Sequence, residues 1–157
     1  AVFIIGGSGP DTEKYRSQIV ASGLEGKVNL VGRISDTDLP SYYAAADVFC
    51  LPSNEKSEAF GVVQLEAMSL GIPVVSADII GSGVPWVNTH MESGLVFEPN
   101  NVESLAAALN LIINDSLLRQ DLANGAKKRF AKYFTKGRSI EAINSVYKNC
   151  LKIKNRL

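Results

Sequence analysis

Short apolar runs stopped by glycine or proline alternate along this chain with segments of helical periodicity, and that alternation restricts it to an α/β fold. Val2 to Ile5 ends in Gly6 and Gly7, Val28 to Val31 ends in Gly32, and Asp47 to Leu51 ends in Pro52 and Ser53. Pro73 to Ser76 and Gly94 to Phe97 complete the set. Runs that are apolar throughout read as parallel strands buried on both faces. Between them lie a helix from about Pro10 to Gly23, one from Asp36 to about Ala46 with Pro40 in its opening turn, and one over Val62 to Leu70 closed by Gly71. Three helices finish the chain: Val102 to Ile113 capped by Asn101, Leu117 to about Tyr133 after Ser116, and about Arg138 to Ile153. Right-handed βαβ units then predict a Rossmann-like, doubly wound, mostly parallel sheet with helices on both faces. No repeat or linker divides it, so residues 1–157 are expected to form one domain.

In such a sheet ligands sit outside the carboxyl ends of the strands. Four segments fall there: Gly6 to Pro10, Gly32-Arg33, Ser53 to Gly61, and Ala77 to Pro85. The third leads into EAFGVVQLE, which sets Glu58 and Glu66 on either side of a Phe60-Gly61 turn opening a helix. Unpaired amides and the positive end of the helix dipole, from Phe60 to Val62, suit a diphosphate. Ionised carboxylates only accept hydrogen bonds, so beside an anion they suit hydroxyls, which sugars and ribose supply. Glu66, one turn inside the helix, leans back towards the cleft that Glu58 borders. Each residue also has a plainer reading: a solvated loop carboxylate for Glu58, a helix-surface residue for Glu66, a core aromatic for Phe60 and a turn cap for Ser53. The glycine loop at Gly7, Ser8 and Gly9 is either a tight turn or a ligand cradle. Its spacing is not G-x-G-x-x-G, and Arg33 stands where a ribose-binding acid would, which weakens dinucleotide binding but leaves NADP open.

The runs FIIGGSGPDTEKY, VNLVGRISDTDLPSYYAAADVFCLPS, EAFGVVQLEAMSLGIPVVSAD and SGLVFEPNNVESLAAAL, in this order, resemble the C-terminal donor-binding half of retaining GT-B glycosyltransferases, most closely the large family 4, or group 1. The resemblance spans nearly the whole chain and rests on the E-x7-E element between ADVFCLPS and GIPVV. It implies that Glu58 contacts the donor sugar, in the catalytic role, and that Ala59, Phe60, Gly61 and Val62 hold sugar and phosphate. Glu66 would bind the nucleotide ribose, with Gly7, Ser8, Gly9 and Arg33 completing the donor site. It also implies metal-independent transfer of a hexosyl group from a UDP-, GDP- or ADP-linked sugar to a saccharide or lipid-linked acceptor, without a cofactor. The Arg and Lys that usually neutralise the leaving diphosphate are not in these residues, and an N-terminal acceptor domain is expected before Ala1, so this chain alone is expected to bind nucleotide weakly and transfer nothing. GSGVPWVN stands in place of the more frequent Gly-Gly-x-Pro-Glu pattern. A GT-B epimerase, a noncatalytic saccharide- or nucleotide-binding module and an NADP-binding dehydrogenase domain stay open as alternatives.

Composition narrows partners and compartment. With 16 basic and 16 acidic residues the chain has no net charge to attract nucleic acid. Lys127, Lys128, Arg129, Lys132 and Lys136 read first as a solvated surface and second as a peripheral contact with an anionic membrane. Cys50 and Cys150 are expected as reduced thiols, which fits a cytoplasmic protein, at the inner face of the membrane if it serves surface-polysaccharide synthesis. His90, the sole histidine, has no metal-ligand spacing around it, and Trp86 reads as packing rather than stacking.

Overall fold

The structure, a computed structural model, describes residues 1–154. Strands and helices alternate: β1 (Phe3–Gly6), α1 (Thr12–Ala21), β2 (Val28–Gly32), α2 (Leu39–Ala44), β3 (Phe49–Leu51), α3 (Val62–Ser69), β4 (Val74–Ala77), α4 (Val84–Val87) and β5 (Gly94–Phe97). Then come α5 (Val102–Asn114), α6 (Ser116–Tyr133) and α7 (Lys136–Lys154). Every strand pairing is parallel, as continuous apolar runs joined by crossover helices require. The strands group into two sheets, β1-β2 and β3-β4-β5, and the residues into two compact units, one over Ala1–Ala45 and one from Ala46 on.

In the first unit β1 departs from its sequence reading as a buried strand: all four residues are exposed, Phe3 by 42% and Ile4 by 54%. The physical reason is width. One strand pair with two short helices covers little area, and α1 buries none of its residues. Helix α2 starts three residues later than the sequence suggests. The Ser35 hydroxyl donates to the Asp38 carboxylate at 2.7 Å and accepts from the Asp38 amide at 3.1 Å, which closes a turn that competes with the helix.

The second unit holds the core. All of β4 is buried, with Val75 opposite Cys50 on one side and Leu95 on the other. Helices α5 and α6 bring Ile112 and Leu122 onto this sheet, each side chain contributing about 1.5–3 kcal/mol by burial. The Asn101 side chain caps α5 by accepting from the Ser104 amide at 2.9 Å. Helix α6 begins at Ser116, one residue before the sequence suggests, and Asp115 caps it by accepting from the Leu118 amide at 2.9 Å.

A polar clamp holds β4 to β5. Buried Asn88, just after α4, places its amide nitrogen within 3.1 Å of the Val74 carbonyl, 2.9 Å of the Ser76 hydroxyl and 3.1 Å of the Leu95 carbonyl. Its carbonyl accepts from the Ser93 hydroxyl at 3.0 Å. Gly94 is required beside it, because a side-chain carbon there would overlap the Val74 carbonyl oxygen.

Both cysteines are free. Burial in β3 pushes the Cys50 thiol up from 9.0 to about 11. At pH 8 only about one Cys50 in a thousand is then a thiolate. A disulfide reagent at that pH is expected to modify exposed Cys150 promptly and Cys50 only on unfolding; two equal fast phases in the native protein would contradict this.

Candidate functional site

The loop from β3 to α3 is built around three consecutive carbonyls, each tied to the protein. The Glu58 carbonyl accepts from the Ser82 hydroxyl, the Ala59 carbonyl from the Gly83 amide at 2.7 Å, and the Phe60 carbonyl from the Gln64 side-chain amide at 3.2 Å. Gly83 permits this approach, since a side-chain carbon there would lie 2.9 Å from the Ala59 oxygen. In a planar trans peptide the N–H points opposite to the C=O. The amides of Ala59, Phe60 and Gly61 are therefore each aimed away from the groups that hold the loop.

One of them is already used. The Gly61 amide donates to the Glu58 carboxylate at 3.1 Å, and the Ser53 hydroxyl donates to its other oxygen at 3.3 Å. Glu58 is thus half-buried and oriented from two sides. Among the described residues, the amides of Ala59, Phe60 and Val62 donate to no protein group. Val62 begins α3, with Gly61 in the left-handed conformation before it (φ 71°, ψ 58°). Glu66 lies on the exposed side of α3, one turn from that start. A shallow pocket of about 250 Å³ lies beside Glu58, lined also by Ser53, Asn54, Glu55 and Ser57. A larger groove of about 540 Å³ shares Asn54 and runs over the carboxyl ends of β4 and β5, past Asp78 and Glu98.

Phe60 packs on Trp86 and Phe134, with ring centroids 6.0 and 6.2 Å away, and Trp86 meets Phe134 edge-on at 5.1 Å. Trp86 does pack, yet 55% of it stays exposed. Arg129 corrects the reading of the late basic residues as a solvated face. Its side chain is only 10% exposed and donates to the backbone carbonyls of Trp86 and Val87, to the latter at 2.9 Å. It also meets Glu92 at 3.3 Å and lies 5.2 Å from the Tyr133 ring centre, so α6 pins the α4 segment from behind.

The other predicted residues belong to the first unit. The Gly7 amide donates to the Gly32 carbonyl at 2.7 Å and the Gly9 amide to the Thr12 hydroxyl at 3.1 Å, so two amides of the glycine loop are spent inside the unit. Gly7 needs its missing side chain for backbone reasons, at φ 126°. Ser8 and Arg33 are exposed. The His90 ring nitrogen Nδ1 accepts from the Val96 amide at 3.0 Å. Among the described residues no three metal-ligating side chains cluster, and no helix is long and apolar enough to cross a membrane.

Parallel strands with a carboxylate-bearing loop at their carboxyl ends define one half of a GT-B architecture. Sucrose-phosphate synthase from Thermosynechococcus elongatus superposes with a TM-score of 0.80 at 25% identity, over 96% of this chain and 38% of that one. HepE from Anabaena, solved in complex with UDP, superposes with a TM-score of 0.80 at 27% identity, over 96% of this chain and 41% of that one. The profile of the family of glycosyl transferases group 1 matches residues 1–129, and the chain belongs to that family. The O-antigen chain mannosyltransferase C of Escherichia coli is 30% identical over 154 residues, 98% of this chain and 41% of the relative. The chain spans 33% to 41% of the length of the first curated relatives it matches.

Proposed function

We propose that this chain is the donor-binding domain of a retaining glycosyltransferase and that the β3–α3 loop holds a nucleotide-diphosphate sugar. The observation that carries this reading is the fixed loop, with three carbonyls tied to the protein and the amides of Ala59, Phe60 and Val62 left to donate beside an oriented Glu58. Donors fixed before the reaction stabilise the charge that grows on a departing diphosphate without further reorganisation, and they do so without a metal. Glu58, whose lone pairs are only partly used, accepts from hydroxyls of the donor sugar. Glu66 takes the ribose. The transferred group is a hexosyl unit, the acceptor a saccharide or lipid-linked saccharide presented by a further domain, and the setting bacterial surface-polysaccharide synthesis at the cytoplasmic face of the membrane. The mannosyltransferase name of the Escherichia coli relative and the UDP bound to HepE support this reading. This chain by itself binds nucleotide weakly and transfers nothing.

Calorimetric titration of the chain and of the full-length protein with UDP, GDP, ADP and NADP tests it. One nucleoside diphosphate is expected to bind selectively. Glu66→Ala is expected to weaken that binding about tenfold or more, the loss of a charge-assisted hydrogen bond. Binding of NADP alone, indifferent to Glu66, would refute the proposal.

A further inference from the structure

Gln64 is a polar side chain in a fully buried position. It sits in the first turn of α3, its amide end and the end of Leu51 of β3 both lying against Gly61. Its Nε2 donates to the Phe60 carbonyl at 3.2 Å, while its Oε1 is buried with no hydrogen-bond partner. A buried amide oxygen without a partner costs stability, so Gln64 is a poorer core residue than an apolar side chain of its size.

What it does locally follows from the turn. A regular helix would satisfy the Phe60 carbonyl through the Gln64 backbone amide, four residues on. Because Gly61 is left-handed, that amide instead donates to the Gly61 carbonyl at 2.9 Å. The Gln64 side chain takes over the carbonyl that its own backbone released. Gly61 also lies against it, for a side-chain carbon at Gly61 would come within 2.5 Å of Gln64 Nε2. The Phe60–Gly61 peptide is thereby held at both ends: its C=O by Gln64, its N–H by the Glu58 carboxylate at 3.1 Å.

We propose that Gln64 is a positioning residue for the donor site, acting through the Phe60–Gly61 peptide to set the direction of the Gly61 N–H and hence the orientation of Glu58. This inference rests on the donor-site reading above and adds to it a residue that touches no ligand. Stability is sacrificed at one buried oxygen so that one peptide plane keeps a fixed orientation towards the cleft.

The test uses the full-length protein with Gln64→Met, which keeps volume and removes both polar atoms, and Gln64→Leu as a second apolar variant. Both remove the unpaired Oε1 and at the same time free the Phe60 carbonyl, two changes of opposite sign, so their melting temperatures are expected to stay within about 4 °C of the wild type. Nucleotide-sugar affinity, by titration, is expected to fall roughly three- to tenfold, the equivalent of one hydrogen bond lost from the site. In a Glu58→Gln background the same Gln64→Met change is expected to have less than half that effect, because both act through one peptide. If the affinity loss persists undiminished beside Glu58→Gln, Gln64 does not act through the Phe60–Gly61 peptide and the inference fails. Unchanged affinity in Gln64→Met, with Glu66→Ala still weakening binding, overturns the inference and leaves the donor site intact. A wild-type protein that binds no nucleotide sugar removes both.

Discussion

Replacing Asn88 by alanine is expected to destabilise the protein by about 4 kcal/mol and lower its melting temperature by roughly 8–16 °C. The side chain is fully buried and reaches three acceptors on β4 and β5 through one nitrogen, while its oxygen accepts from Ser93. Truncation leaves the fully buried Ser76 hydroxyl and the Val74 and Leu95 carbonyls without this donor, an unsatisfied buried group costing about 1–3 kcal/mol, while Ser93 keeps the Thr89 amide and carbonyl. The lost volume adds a cavity term. Ser93→Ala, which removes one spoke and keeps the hub, is expected to cost about 1 kcal/mol. Thermal melts of both variants decide the matter. An Asn88→Ala loss below that of Ser93→Ala would mean that water replaces the amide and that the clamp is not what fastens β5 to β4.

How far the sequence announces this architecture depends on what kind of signal each residue emits. The strands are legible because a parallel strand buried on both faces must be mostly apolar, and Val74–Ala77, with Ser76 its one polar residue, and Gly94–Phe97 fit that rule. The same rule misleads for β1, since an apolar run shows a tendency to be buried and cannot show that enough protein is present to bury it. The E-x7-E element is legible because a helix start followed by a carboxylate one turn on has a fixed spacing. The groups that hold the loop are silent in sequence. Ser82 and Gly83 lie more than twenty residues from Glu58, and Asn88, Ser93 and Arg129 are ordinary loop or surface types until the fold closes around them. Helix α4 is four residues long, below the length at which periodicity is readable. Gln64 lies inside the E-x7-E element, but glutamine in a helix reads as surface. Its burial was the missing signal.

Gly61→Ala is expected to abolish nucleotide binding, by about a hundredfold or more, while destabilising the fold by about 3 kcal/mol. Two costs combine. At φ 71° an L-residue is strained by about 1–2 kcal/mol. The new carbon would also lie 2.5 Å from Gln64 Nε2 and 2.8 Å from Leu51 Cδ2, closer than real contacts allow, so the ends of those two side chains must shift. Gly23→Ala separates the two. Gly23 has φ 63° and nothing within 4 Å of its would-be side chain, so it carries the conformational penalty alone. Gly61→Ala should exceed it by about 1–3 kcal/mol, the overpacking part. The larger consequence is for binding, since displacing Gln64 Nε2 removes the donor that holds the Phe60 carbonyl and frees the Phe60–Gly61 peptide whose N–H orients Glu58. Affinity therefore falls by more than a single hydrogen bond is worth. Titration and melting of the two variants side by side settle it: equal stability losses with wild-type affinity in Gly61→Ala would show that the loop tolerates a side chain and that the ligand is held elsewhere.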